Sequence, residues 1–132
     1  MTGNPDGLRS LAKYSKLPVE RIRYHPEADE ETIRAITRGI LCQMAFWSGP
    51  AFQAFAKLTE VIARLDPDGV LELVVVDIDG SDGLSAVSEF LGGVHGSGET
   101  AWVRNGSIIA TSGIGVNVEC FAPNTTTLLE TP

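Results

Sequence analysis

A chain of 132 residues, 43% of them hydrophobic, has the material for one compact domain with one core. Ten basic residues against seventeen acidic leave a net charge of −7. A surface of that sign repels phosphate backbones and anionic lipid, which sets aside nucleic-acid and membrane binding by the main body.

The charge is uneven along the chain: residues 1–40 sum to +1 and residues 41–132 to −8. The basic share sits in an arm bearing Arg9, Lys13, Lys16, Arg21 and Arg23, with Glu20 as the acid among them; it is expected to be solvated surface or to lie against the acidic body. No apolar run reaches the ~18 residues needed to cross a bilayer. The start, Met1-Thr2-Gly3-Asn4-Pro5-Asp6-Gly7, lacks the basic-then-apolar order of a secretory leader, so a soluble, cytoplasmic protein is expected. Cys42 and Cys120 are too few and too far apart for a disulfide framework or a spaced metal site.

After a start containing glycine and proline, residues 19–24 alternate as a strand does, and His25-Pro26 ends it. Asp29 caps a helix expected over 30–38, acidic in its first turn and basic in its last, with Gly39 as its stop. Residues 40–47 form a nearly continuous apolar run, the pattern of a strand covered on both faces. The strongest helical signal covers 50–65, where Phe52, Phe55, Leu58, Val61, Ile62 and Leu65 recur at spacings of three and four, with Ser48 as cap.

Asp66-Pro67-Asp68-Gly69 reads as a turn, and 70–78 as a further strand. Ser81 or Asp82 then caps a short helix carrying Leu84, Val87, Phe90 and Leu91, stopped by Gly92-Gly93. Residues 100–103 and 107–111 flank Arg104-Asn105-Gly106, a strong hairpin signal. Asn124 caps a last, marginal helical turn through Leu128 and Leu129.

This order resembles the thioredoxin family. The resemblance covers roughly residues 19–115 and rests on an apolar strand ending in Phe46-Trp47, a turn that keeps Gly49-Pro50, a long amphipathic helix, a strand ending Val76-Asp77-Ile78-Asp79, and a late hairpin. It implies a three-layer α/β fold, a central mixed sheet of four to five strands flanked by helices, in a domain spanning 19–132 behind an amino-terminal extension, 1–18.

Where the family places two cysteines around Gly-Pro, this chain has Ser48 and Ala51, and neither a hydroxyl nor a methyl group exchanges disulfides. Six residues before Ser48, at the family's usual buried acid, stands Cys42. At the family's cis proline, counted back from the hairpin turn, stands Gly98, followed by Glu99. Three parts of the redox apparatus are altered together.

The resemblance therefore implies a redox-inactive protein binding another protein or peptide, as cysteine-free thioredoxin folds do among chaperone-like proteins, including hydrogenase-maturation chaperones. The surface expected to do so comprises Trp47, Ser48, Gly49, Pro50, Ala51, His95, Gly98 and Glu99. Two alternatives stand beside it: a thiol oxidoreductase whose reactive sulfur has moved to Cys120 or Cys42, and an anion or small-molecule pocket at the start of the long helix.

Ser48 also has the plain reading of a helix cap, Trp47 that of core cover, and Cys42 that of a small buried hydrophobe. His25 and His95 read as loop residues. Asp77, Asp79 and Asp82 suggest a calcium loop, but Asp82 stands where the loop needs glycine and Ser88 where it needs a bidentate glutamate. No cofactor or metal is implied, and nothing in the sequence sets the oligomeric state.

Overall fold

The computed structural model describes residues 4–80, 98–112 and 118–130. Among them are five strands, β1 (Ile22–His25), β2 (Arg38–Met44), β3 (Glu72–Asp77), β4 (Thr100–Arg104) and β5 (Ser107–Thr111). Four helices accompany them, α1 (Gly7–Ala12), α2 (Glu30–Arg34), α3 (Gly49–Leu65) and α4 (Phe121–Glu130). The strands form one mixed sheet in the order β1-β3-β2-β4-β5, the first three parallel and the last two antiparallel.

Alternation along each strand divides the core between the two faces of the sheet. Ile40, Cys42 and Met44 of β2 pack with Phe55, Leu58 and Ile62 of α3 and with Phe121 and Leu128 of α4. Leu41, Val74, Val76 and Ala101 point the other way, onto Ile33 and Ile36 beside α2. Trp102 is fully buried against Phe121 and donates its indole N–H to Thr125 Oγ1 at 3.1 Å. That donation satisfies the one polar group such a buried ring carries.

The long helix runs where the spacing predicts, and Ser48 caps it by accepting the Ala51 amide at 3.3 Å. The hairpin also stands as read, with Asn105 at φ 51° and Gly106 at φ 76° making its turn. Several boundaries differ. The helix expected over 30–38 ends at Arg34, because Arg38 and Gly39 are claimed by β2 pairing with β4 and β3. Gly39 therefore stops no helix; it lies inside a strand where a Cβ would come within 2.7 Å of the Glu72 carbonyl.

The first strand begins at Ile22, after a tight turn over Val19–Arg21, and the third begins at Glu72. The last helix starts at Phe121 and is held by Phe121, Thr125 and Leu128, an i, i+4, i+7 face buried against α3 and β4. The helix expected after Ser81, with His95 beyond it, lies outside the described residues.

One irregularity marks the edge of the sheet. Trp102 pairs with Ala110 but Val103 with Ile108, so β5 carries an extra residue, Ile109, at a bulge. Ile108 consequently packs on one face of the sheet and Ala110 on the other.

Candidate functional site

The parallel strands β1, β3 and β2 all finish at one end of the sheet, and the turn into α3 rises from that end. Trp47 is 65% exposed there. Its backbone is fixed from behind: the Ser48 amide donates to the Ala45 carbonyl at 3.0 Å, and the Ser48 hydroxyl is occupied as the helix cap. The ring thus projects from a rigid corner.

Gly98, which immediately precedes the Glu99–Thr100 start of the hairpin, lies against the first turn of α3. A Cβ there would stand 3.2 Å from the Ala51 carbonyl oxygen and 3.1 Å from Ala54 Cβ, and its φ of +82° suits glycine. The corner is tied by Thr100 Oγ1 donating to the Gly98 carbonyl at 2.8 Å and by Ser112 exchanging hydrogen bonds with Thr100 at 2.9 Å. The Glu99 carbonyl accepts the Gln43 amide at 2.9 Å, extending the pairing of β2 with β4.

The expected surface therefore divides in two. Trp47, Gly49 and Pro50 are exposed, whereas Ser48, Ala51, Gly98 and Glu99 are buried and shape the turn from beneath. His95 lies outside the described residues.

Neither cysteine stands at the head of α3. Cys42 is fully buried in β2, and burial above all, aided by the charge of Glu99 and opposed by a hydrogen bond with Thr100, pushes its pKa up to about 12. Cys120 is partly buried, and burial likewise raises its pKa. A thiol held protonated at neutral pH is a poor nucleophile. Asp77 ends β3 and is buried, accepting the Asn4 amide at 2.7 Å and the Asp79 amide at 2.9 Å; it serves as an anchor for local backbone.

Sequence reasoning missed what Asn4 brings with it. Residues 4–17 form a strap across this end of the molecule, with Leu11 fully buried and Leu17 nearly so. The Tyr24 hydroxyl donates to the Asn4 carbonyl, and its pKa is raised by burial first and by the Asp77 charge second. Gly7 sits so close to the Tyr24 and Phe46 rings that a Cβ would come within 2.6 Å of Phe46. Further along, the Lys16 amide donates to Thr59 Oγ1 of α3 at 3.0 Å. The available signal was the pair Leu8 and Leu11, one helical turn apart, with Arg9 and Lys13 between and beyond them.

Rings continue from there in a row. Tyr24 meets Phe46 edge-on at 5.7 Å, Phe46 meets Phe52 at 5.8 Å, and Tyr14 of the strap lies on Phe52 at 4.5 Å. Trp47 follows Phe46 in the chain. At the opposite end of the sheet a cleft of about 160 Å³ is lined by Glu20, Arg21, Arg23 and Glu72, but its arginines are committed, Arg21 to Asp66 and Arg23 to Glu72.

The fold is that of thioredoxin. A chain from a structure of thiol resolution in yeast mitochondrial 1-Cys peroxiredoxin by glutathione and thioredoxin systems superposes with a TM-score of 0.60 at 19% identity, covering 80% of this chain and 94% of that one. Schistosoma mansoni thioredoxin gives 0.58 at 14% identity, again over 80% and 94% of the two chains. A mutant thioredoxin from Halobacterium salinarum gives 0.59 at 15% identity over 84% and 93%. No family model and no curated protein sequence matches this chain.

Proposed function

We propose that this chain is a redox-inactive thioredoxin-like protein that binds another polypeptide in a chaperone-like manner, using the Trp47 corner as its contact. The observation that carries the reading is Trp47 itself, 65% exposed at the head of α3, on the turn whose sequence resembles a thioredoxin active-site turn without its cysteines. An exposed indole on a rigid corner is the kind of anchor that dominates protein interfaces. A single such ring would be unremarkable elsewhere on the surface.

The competing readings have less to stand on. With Ser48 and Ala51 flanking Gly49-Pro50, the head of the helix bears no sulfur, and burial raises the pKa of both cysteines. The Ala51 N–H, one of the backbone donors an anion at the head of α3 would use, is already donated to the Ser48 hydroxyl oxygen.

Two measurements test the proposal. The purified protein is expected to leave the rate at which dithiothreitol reduces insulin disulfides unchanged, where an oxidoreductase raises it; acceleration would refute the redox-inactive reading. Partners captured from the native cell by the wild type should be lost with Trp47→Ala, and their retention by the folded variant would refute the docking surface.

A further inference from the structure

The described cations are unequal in how they are used. Arg21, Arg23, Arg34 and Lys57 are each paired with a carboxylate. The strap's Arg9, Lys13 and Lys16 are exposed and, among the described residues, make no ion pair, a condition they share with Arg64 at the far end of α3. Of the basic arm, Arg21 and Arg23 lie against the acidic body on Asp66 and Glu72, whereas Arg9, Lys13 and Lys16 are solvated surface. The strap is held instead by Leu11, by Gly7 on the rings of Tyr24 and Phe46, and by backbone hydrogen bonds to Asp77 and Thr59.

Arg9 and Lys13, four residues apart on α1 and its cap, share the side of the helix away from Leu8 and Leu11, and Lys16 is exposed three residues further on. Between them stands Tyr14, 46% exposed and stacked on Phe52 in the first turn of α3. The unpaired basic side thus borders the ring row of Phe52, Phe46 and Tyr24, and Trp47 follows Phe46 in the chain at the start of the same helix.

We propose that Arg9, Lys13 and Lys16 form the second half of the docking surface and select an acidic, extended segment of the partner polypeptide, its carboxylates on the strap and its apolar side chains on Tyr14 and Trp47. This rests on the reading of Trp47 given above. Charge decides the kind of partner. Residues 41–132 sum to −8, and a membrane or a nucleic-acid duplex is broad enough to bring its own negative charge within a Debye length, about 8 Å at physiological salt, of that body. A narrow acidic segment reaches the strap alone, where Asp6 is the one competing carboxylate in residues 4–17.

The test uses fluorescein-labelled extended peptides in which Leu and Ser alternate with Glu, and matched peptides with Gln or Lys in place of Glu. The full chain should bind the Glu peptide at least about tenfold more tightly than the Gln peptide, and the preference should shrink as NaCl rises from about 50 to about 200 mM. The variant R9E/K13E/K16E should lose the preference, as should R9Q/K13Q/K16Q, which adds no new charge; thermal melting confirms folding of both. Trp47→Ala should weaken every peptide alike and leave the preference intact.

Equal binding of Glu and Gln peptides, stronger binding of the Lys peptide, a preference that survives R9Q/K13Q/K16Q, or tighter binding to phosphatidylserine vesicles or duplex DNA would each overturn the proposal. A charge preference that disappears with R9Q/K13Q/K16Q, alongside affinities unmoved by Trp47→Ala, would keep the strap and refute the Trp47 reading instead.

Discussion

The two ends of the sheet are built to opposite specifications. At the end where α3 finishes, Asp66 is 2% exposed and accepts from the Val70 and Leu71 amides at 2.8 and 2.9 Å and from Arg21 at 3.0 Å. Beside it Glu72 takes both Arg23 and the Thr37 amide, and the hairpin turn donates to the carbonyls of Thr37 and Ile36. At the end where α3 starts, the buried residues lock the corner from beneath while Trp47, Gly49 and Pro50 are left in solvent. Polar satisfaction at one end stabilises the domain, and incomplete cover at the other leaves it something to offer.

That contrast can be broken first at the satisfied end. Asp66→Ala leaves a partly buried guanidinium and two turn amides without their acceptor, and should lower stability by about 3 kcal/mol in urea unfolding. A loss no larger than that of an ordinary surface substitution would show that this end is not the stabilising one.

Next comes the frame of the corner. Gly98→Val forces a β-branched side chain into positive φ and against Ala54 and the Ala51 carbonyl, and should lose about 2 kcal/mol by the same measurement.

Alkaline pH probes the buried thiol beneath that corner. The unfolded chain releases the Cys42 proton near the ordinary 9.0, whereas the folded chain keeps it up to about 12. Stability is therefore intact below pH 9 and falls as pH climbs toward 12, by at most about 1.4 kcal/mol per pH unit for this group. Chemical unfolding at stepped pH should show a shallower alkaline slope for Cys42→Ala than for the wild type.

The smallest effect sharpens the contrast most. Trp47→Ala should change stability by less than about 0.5 kcal/mol, because the ring is 65% exposed, while abolishing partner capture. A large loss of stability would move Trp47 from the contact surface to the structural frame.

Much of this architecture is legible in the sequence because the informative segments carry local signals that tertiary packing does not override. The α3 face of Phe55, Leu58 and Ile62 spells its own period, Ser48 its own cap, and Asn105-Gly106 its own turn. The failures have a common cause in the opposite situation. Helix α2 ends early because pairing at Arg38 opposite Arg104 outweighs the propensity of the residues before it. Helix α4 starts early because Phe121 finds Trp102, a contact no local window contains.

Helix α1 was illegible for a related reason. It is six residues long, opens on a glycine, and exists because the rings of Tyr24 and Phe46 accept that glycine at van der Waals range. At the candidate site, the turn 48–51 and its meeting with Gly98 follow from the resemblance to the thioredoxin family, whereas the burial of Glu99 and the strap over the ring row depend on packing between distant segments.

The bulge at Ile109 has a consequence for colloidal behaviour. A regular edge strand offers a template on which an identical strand from another molecule adds, and then another, until fibrils grow. Here Ile108 and Ala110, two positions apart, face opposite sides, so a straight incoming strand can match the pleat on one side of Ile109 but not on both. An uncharged run of Ser, Ile, Ile, Ala and Thr can thus border the sheet without seeding polymers of itself.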